Sequence, residues 1–294
     1  MTAHETGLAL YDLAARRGAA QVISQYSTSF GLASRLCSRE VRQHVADVYA
    51  LVRIADEIVD GPAEEAGLDV AACRELLDAL EAETELAIAR GYSSNLVVHA
   101  FARTARTTGI DVELTRPFFA SMRRDLDPVD FDAEELRMYI YGSAEVVGLM
   151  CLRAFTLGLN TDAERDARWQ RGARHLGAAF QKINFLRDLA EDYDTRGRRY
   201  FPGVDPARFD EADKARILDD IDADLAVAGA VIPELPGSCR RAVAAAHALF
   251  TSLAARLRRT PASALLTTRV RVPAGRKLTL LVRAATLRGR EATA

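Results

Sequence analysis

Two stretches of this sequence place acidic side chains at helical spacing beside apolar residues. The first is YALVRIADEIVD, in which a repeat of about 100° per residue puts Tyr49, Arg53, Asp56 and Asp60 on one stripe of a helix. Carboxylates one turn apart repel each other in an isolated helix, so this stripe requires a cation nearby. A solvated face, with Arg53 paired to Asp56 or Glu57, is the alternative interpretation.

The second stretch is QKINFLRDLAEDYD, in which Gln181, Asn184, Asp188 and Asp192 share a stripe that borders an apolar face. Amide groups at the edge of a core are costly unless they form hydrogen bonds or coordinate an ion. A polar network between helices would satisfy the same pattern. Carboxylate and amide oxygens are ligands of Mg²⁺, which commonly shares its site with substrate phosphate. The two stripes together therefore predict a site for a divalent cation and a diphosphate.

Such a site favours ionisation chemistry, because metal ions and cationic side chains stabilise the charge on a departing diphosphate. The candidate cations for that leaving group are Arg53, Arg187, Arg199 and Arg271. For Arg187 and Arg199, a position on the surface is the alternative.

A third stretch, YIYGSAEVVGLMCLRAF, lies between the two acidic ones. Gly142, Ser143 and Gly148 are poor helix formers, which predicts that something large approaches the surface of this helix. Tyr139 and Val147 share the same stripe, which is small and apolar below the tyrosine. A trough for a long hydrocarbon explains this pattern, and close packing of two helices explains it equally well.

The composition predicts a soluble globular protein, with 294 residues of which 49% are hydrophobic and 27% charged. The net charge of -2 indicates no nucleic-acid partner, but twelve Arg or Lys residues and one acid follow Glu234, so that part carries +11 and the rest -13. This asymmetry predicts contact with an anionic ligand or a membrane surface. The sequence has no secretory signal pattern, no run of 18 apolar residues and no paired cysteine motif, which predicts a cytoplasmic protein.

Helical periodicity runs through almost the whole chain and predicts an all-α protein. The predicted helices are residues 8–25, 39–60, 69–89, 94–108, 111–125, 132–158, 162–193, 212–229, 236–258 and 275–288. Asp132 and Glu135 form a predicted capping box at one helix start. The breaks between helices are short and unlike domain linkers, so we expect a single domain over residues 1–294.

Four segments resemble, in order, the signatures of the squalene/phytoene synthase family, and most closely those of its bacterial phytoene synthases. They are QYSTSFGLASRL, YALVRIADEIVD, YIYGSAEVVG, and QKINFLRDLAED followed by RRYFP. The similarity spans about residues 20–285. The resemblance implies a class I isoprenoid (terpenoid) synthase fold, in which a single helical bundle surrounds a central cavity. It also implies head-to-head condensation of two prenyl diphosphates.

The resemblance also implies roles for the matching residues. The implied metal ligands are Asp56, Asp60, Asn184, Asp188 and Asp192. The residues implied to bind the diphosphates or their hydrocarbon chains are Ser27, Ser29, Phe30, Tyr49, Arg53, Val147, Gln181, Asn184, Arg187 and Arg271. Among them, Gln181 is expected near the reacting carbons and Arg271 is expected to cap the site. Tyr139 is expected over the carbocation.

Two departures from the family pattern are visible. Phe250 stands near the position of a family tyrosine, which puts that residue's contribution to diphosphate binding in doubt. Glu145 stands where a small residue is commoner and is expected to narrow or polarise one end of the cavity.

The implied reaction joins two geranylgeranyl diphosphates to phytoene through a cyclopropylcarbinyl diphosphate. The implied cofactor is Mg²⁺, with Mn²⁺ as an alternative and no NADPH. A relative that makes squalene-type products from farnesyl diphosphate is the alternative function. A non-catalytic lipid-binding assembly factor is a third hypothesis, against which the two intact acidic stripes count. We expect a monomer or weak dimer, with peripheral membrane contact through LTLLVRAATL in the basic C-terminal region.

Overall fold

The computed structural model describes residues 7–27, 29–127, 130–189 and 199–286, and it omits the side chains of residues 29 and 30. These parts of the chain are helical, which confirms the all-α prediction. The helices are α1 (Gly7–Tyr26), α2 (Ser29–Ser34), α3 (Arg39–Val59), α4 (Pro62–Glu65), α5 (Val70–Arg90), α6 (Leu96–Thr108), α7 (Val112–Arg124), α8 (Ala133–Ile140), α9 (Val146–Phe155), α10 (Ala163–Arg187), α11 (Glu211–Val231), α12 (Gly237–Arg259), α13 (Ala262–Leu265) and α14 (Ala274–Ala285).

Side-chain caps explain where several of these helices begin and end. Asp132 accepts a hydrogen bond from the backbone N–H of Glu135, and the Glu135 carboxylate accepts one from the N–H of Asp132, which confirms the predicted capping box at the start of α8. Gly91 and Gly109 end α5 and α6 with φ values of 80° and 75°, a conformation that costs other residues more.

Two long predicted helices differ from the observed ones. The predicted helix 132–158 is divided into α8 and α9 by a wider π-helical segment, Tyr141–Glu145, and it ends at Phe155. The predicted helix 162–193 is interrupted after Arg187, where Asp188 forms the C-cap of α10, and its residues 190–193 lie outside the described residues. The short helices α2, α4 and α13 were not predicted, because fewer than seven residues carry too little periodicity to be read.

The helix α9 occupies the centre of the bundle, where it packs against both α3 and α10. It runs antiparallel to α10, because Ala144 lies against Gly177 and Gly148 lies against Ala173. A Cβ atom added to Gly148 would be 2.6 Å from the carbonyl oxygen of Ala173, so this contact requires glycine. Close helix packing therefore explains the glycines of the third stretch.

Two large hydrophobic clusters form the bulk of the core, and α9 contributes Met150 to the first of them. The first surrounds Leu51, Phe101 and Met150, and the second surrounds Ile183 and Leu218. Among the described residues, no helix has the length and apolar character needed to cross a membrane.

Candidate active site

A cavity of about 750 Å³ lies among α3, α9, α10 and α12. Most of its wall is apolar, including Val45, Val48, Val52, Val147, Cys151, Leu152, Phe155, Trp169, Leu176, Phe180, Leu249 and Phe250. Val147, which was predicted to line a hydrocarbon site, is part of this wall. Phe250 stacks on Phe180 with ring centroids 3.6 Å apart, so this residue, which was expected near the position of a family tyrosine, contributes an apolar surface.

Five cationic side chains line the same cavity: Arg53, Arg187, Arg269, Arg271 and Lys277. Three of them, Arg53, Arg187 and Arg271, were predicted. Arg269 and Lys277 were missed, although the pattern RVRVP contained a signal for Arg269. Successive side chains of an extended segment alternate, so Arg269 and Arg271 fall on the same side. Arg199, the remaining predicted cation, is not among the lining residues, and its backbone forms an isolated bridge with Asp130.

The carboxylates of α3 repel one another as the first stripe predicted. Burial raises the pKa of Asp56 well above its usual range, and the charges of Asp60, Asp125 and Glu57 raise the pKa further against the opposing effect of Arg53. Asp56 therefore lacks sufficient positive charge around it in the protein alone. A cation bound beside this carboxylate would reverse the direction of the shift.

Arg53 takes part both in a local ion pair on α3 and in the cavity wall, the two positions considered for it from the sequence. Its guanidinium group forms an ion pair with Glu57 and lies 4.5 Å from the ring centroid of Tyr26, which confirms the local pairing one turn along the helix. The same residue lines the cavity, and its Nε is buried without a hydrogen-bond partner among the described residues. Such a nitrogen is available to an anion in the cavity.

Asp188 is held by two arginines at the end of α10. The Nε of Arg187 donates to Oδ1 of Asp188 at 2.9 Å, and the Nε of Arg269 lies 2.8 Å from the same oxygen. Arg269 thus ties the segment before α14 to the second acidic stripe. Asn184, one turn earlier on α10, lines the cavity directly.

The residues present fit a hard divalent cation by their chemistry, since the two stripes supply carboxylate and amide oxygens and the charges of Asp60, Asp125 and Glu57 oppose ionisation of Asp56. The described residues do not form a compact group of three His, Cys, Asp or Glu side chains that could hold a metal ion. Asp192, predicted as a ligand, lies outside the described residues. The metal ligand set therefore stays a prediction.

Tyr139 has a different position from the one expected. Its hydroxyl group donates to the carboxylate of Asp125, its ring belongs to an aromatic cluster with Phe131, Phe185 and Tyr200, and it is not among the residues that line the cavity. Asp125 was missed, because a lone acid at the end of a helix gives no sequence signal that distinguishes it from a surface residue. Only 8% of Asp125 is exposed.

Further residues differ from expectation. Gln181 is not among the cavity-lining residues, and neither are the predicted metal ligands Asp56, Asp60 and Asp188. Glu145 is not on the cavity wall either, because its carboxylate accepts a hydrogen bond of 2.6 Å from Arg174, and it therefore does not narrow the cavity.

The predicted N-terminal element is described in part. Ser27 lines the cavity and forms a side-chain hydrogen bond with Tyr49, so two residues 22 positions apart in the sequence meet there. Burial raises the pKa of Tyr49. The side chains of Ser29 and Phe30 lie outside the described structure.

An all-helical bundle around an apolar cavity, with cationic side chains in its wall, is the architecture of the isoprenoid synthase fold. Two solved structures share this fold. A dehydrosqualene synthase has a TM-score of 0.77 and 24% identity, over 94% of this chain and 96% of that chain. A squalene synthase from Alicyclobacillus acidocaldarius has a TM-score of 0.71 and 22% identity, over 85% and 95% of the two chains.

The chain belongs to the squalene/phytoene synthase family, whose model matches residues 23–276. It is similar to a 15-cis-phytoene synthase of Synechocystis sp., with 33% identity over 203 residues that make up 66% of this chain and 57% of that protein. It is also similar to phytoene synthase 3 of Zea mays, with 32% identity over 78% of this chain and 50% of that protein. The chain thus spans about half the length of these two relatives.

Proposed function

We propose that this protein is a prenyltransferase that condenses two geranylgeranyl diphosphates head to head into phytoene, a step of carotenoid biosynthesis. The observation that carries this proposal is the cavity itself, in which a long apolar wall ends at five cationic side chains. A ligand that is a hydrocarbon at one end and a polyanion at the other matches both parts. Relatives named phytoene synthase support the choice of the longer substrate.

Each part of the cavity has a task in this reaction. The arginines and Lys277 bind the diphosphates and offset the negative charge that develops as one of them departs. The apolar wall excludes water, which would otherwise capture the allylic cation before the second substrate attacks it. Bound Mg²⁺ would supply further positive charge for the departing diphosphate, with Asp56, Asp60, Asn184, Asp188 and Asp192 as its proposed ligands.

The reaction proceeds in two ionisations in this proposal. The C2=C3 bond of one molecule attacks the allylic cation of the other, and loss of a proton closes a cyclopropylcarbinyl diphosphate. Loss of the second diphosphate permits rearrangement, and loss of another proton gives the conjugated triene. The released diphosphate, held by the cationic end of the cavity, is the proposed base for both proton transfers.

Incubation of the purified protein with Mg²⁺ and each prenyl diphosphate, without NADPH, tests the proposal. We expect a C40 triene from geranylgeranyl diphosphate. Products from farnesyl diphosphate alone would contradict it and would favour the second candidate, a synthase of squalene-type products. The similarity of the fold to a dehydrosqualene synthase and a squalene synthase is the observation in favour of that candidate.

We also propose that the protein is a single domain in the cytoplasm that touches a membrane surface through α14. Leu278 and Val282 of this helix are 63% and 55% exposed and lie one turn apart, with Arg276 and Arg283 nearby. Apolar side chains flanked by cations are suited to an anionic lipid surface. In a flotation assay we expect binding to vesicles that contain anionic lipid. Binding that is unchanged in Leu278→Asp with Val282→Asp would contradict the role of α14.

A further inference from the structure

A second, smaller cavity of about 180 Å³ lies beyond one end of the large one. We call it the annex. Phe155, the last residue of α9, lines both cavities. A residue shared by two cavities is part of the wall between them, so Phe155 belongs to the wall that separates the annex from the large cavity.

The wall between the two cavities is thin. Cys37 lines the large cavity and the next residue, Ser38, lines the annex, and the same holds for Leu235 and Pro236. The backbone N–H of Ser38 donates to the carbonyl oxygen of Ser238 at 2.9 Å, which holds two of these chain segments together. Among the described residues, Phe155 alone lines both cavities.

The annex lies at the end of the large cavity opposite to the cations. On α3, Arg53 and Val45 line the large cavity, whereas His44 and Val41 line the annex. Arg53 and Val41 are twelve residues apart, which is about 18 Å of helix. The order on α3 is therefore cation, apolar wall, then annex.

The same order holds on the two other central helices. Arg187 lines the large cavity at the end of α10, and Trp169 lines it near the start of α10. Because α9 runs antiparallel to α10, its last residue, Phe155, lies at the Trp169 end. A prenyl chain whose diphosphate lies among the arginines must point towards Phe155.

We propose that Phe155 limits the length of the prenyl chain by closing the apolar end of the cavity. This inference rests on the proposed function, since it concerns the hydrocarbon part of the same substrate. Replacement of the ring by a small side chain would join the annex to the large cavity and would make room for a longer chain. Ala154 and Leu157 supply apolar surface on the annex side.

A polar group limits how far such a chain can extend. Thr104 donates its hydroxyl hydrogen to Asp47, so its oxygen can only accept at His44, whose Nδ1 lies 2.8 Å away and must carry the hydrogen. The other ring nitrogen, Nε2, is buried without a partner among the described residues. A hydrocarbon offers this acceptor no hydrogen bond, so we expect the annex to admit one further isoprene unit at most.

Two variants of Phe155 test the inference. Phe155→Ala opens the wall fully, and Phe155→Leu opens it in part while it keeps most of the apolar contact, in case the alanine variant does not fold. Leu159→Ala is the matched control, because Leu159 lines only the annex. Folding of each variant is checked by its melting temperature.

The readouts are the binding of C20 and C25 thiolodiphosphate analogues by calorimetry, and the competition of the C20 and C25 diphosphates for turnover. We expect the preference for C25 over C20 to rise at least tenfold in Phe155→Ala, by a smaller factor in Phe155→Leu, and not at all in Leu159→Ala. An unchanged preference in a folded Phe155 variant would overturn the inference. Binding does not require turnover, so a wild-type protein that converts no prenyl diphosphate would count against the proposed function while the binding ratio still tests Phe155.

Discussion

The hydroxyl group of Tyr139 lies 2.8 Å from both carboxylate oxygens of Asp125. Asp125 is buried at the C-cap of α7, and its charge is one of those that raise the pKa of Asp56 on α3. The hydrogen bond from Tyr139 therefore holds the carboxylate of Asp125 in place next to the first acidic stripe. We expect Tyr139 to act on the acidic end of the site through Asp125, as a positioning residue.

Tyr139→Phe should lower the apparent affinity of the enzyme for Mg²⁺ while the protein remains folded. The variant keeps the ring within its aromatic cluster and removes the hydrogen bond to Asp125. Groups that orient a metal site from one shell further out contribute about 10–100-fold to metal affinity or activity. We expect the Mg²⁺ concentration needed for half-maximal turnover to rise within that range. Tyr141→Phe, which keeps its ring against Arg174, is the control, and an equal effect there would contradict the role of Tyr139.

Asp56→Asn should stabilise the metal-free protein and abolish turnover. The folded-state pKa of Asp56 is raised, so its favourable contribution to stability is present below the unfolded pKa and is lost as the pH rises through the folded value. At neutral pH the ionised group therefore destabilises the fold, and the amide removes that repulsion. If the relief is on the order of 1 kcal/mol, the melting temperature rises by about 2–4 °C.

The control for Asp56→Asn is Glu75→Gln, an exposed neutralisation on α5. We expect no comparable rise in melting temperature there. Addition of Mg²⁺ should stabilise the wild type more than Asp56→Asn. Full activity in the Asp56 variant, or equal stabilisation of both proteins by Mg²⁺, would contradict the metal assignment.

Ionisation of Asp47 should lower the free energy of unfolding as the pH rises from about 4 to about 6. Burial raises the pKa of this carboxyl group to about 6, against the hydrogen bonds donated by Gln43 and Thr104. The folded state then binds the proton more tightly than the unfolded state, so the free energy of unfolding decreases as the pH rises through this window. The loss is on the order of 3 kcal/mol. Denaturant unfolding at several pH values should show this slope in the wild type and lose it in Asp47→Asn.

Gly142→Ala should destabilise the protein strongly. A Cβ atom at this position would lie 2.1 Å from the carbonyl oxygen of Pro117 and 2.2 Å from Oγ of Ser121. Backbone cannot give way as a flexible side chain can, so we expect a loss of about 3 kcal/mol or more in the free energy of unfolding. Gly18→Ala is the matched control in α1, where nothing lies within 4 Å of the added carbon, and a gain of about 0.5–1 kcal/mol is expected. A similar change in the free energy of unfolding at both sites would contradict close packing at Gly142.

Arg269→Gln should reduce kcat/KM for prenyl diphosphates. Arg269 lines the cavity and pairs with Asp188, so the variant removes one of the charges that would meet the diphosphate. Hydrogen bonds to charged groups contribute about 1.5–3 kcal/mol, which corresponds to a loss of roughly 10–150-fold. Arg283→Gln on α14 is the control for the loss of one positive charge, assayed without membranes. A loss of the same size there would contradict a specific role for Arg269.

The helices and the apolar face of each could be predicted from the sequence, because helical periodicity and caps are local properties. The stripe with Tyr49, Arg53, Asp56 and Asp60 was found in this way, as was the capping box at Asp132. The resemblance to the family rested on four motifs in order. This resemblance implied the isoprenoid synthase fold and the candidate metal ligands.

Contacts between distant segments could not be predicted, because they depend on how helices pack and on where each one ends. The bond from Tyr139 to Asp125, the pair of Arg269 with Asp188 and the wall at Phe155 join residues that no local pattern connects. The sequence determined by itself that two acidic stripes border an apolar interior. Only the tertiary structure decided which side chains face the cavity, because a helical repeat specifies a face but not the neighbour that covers it.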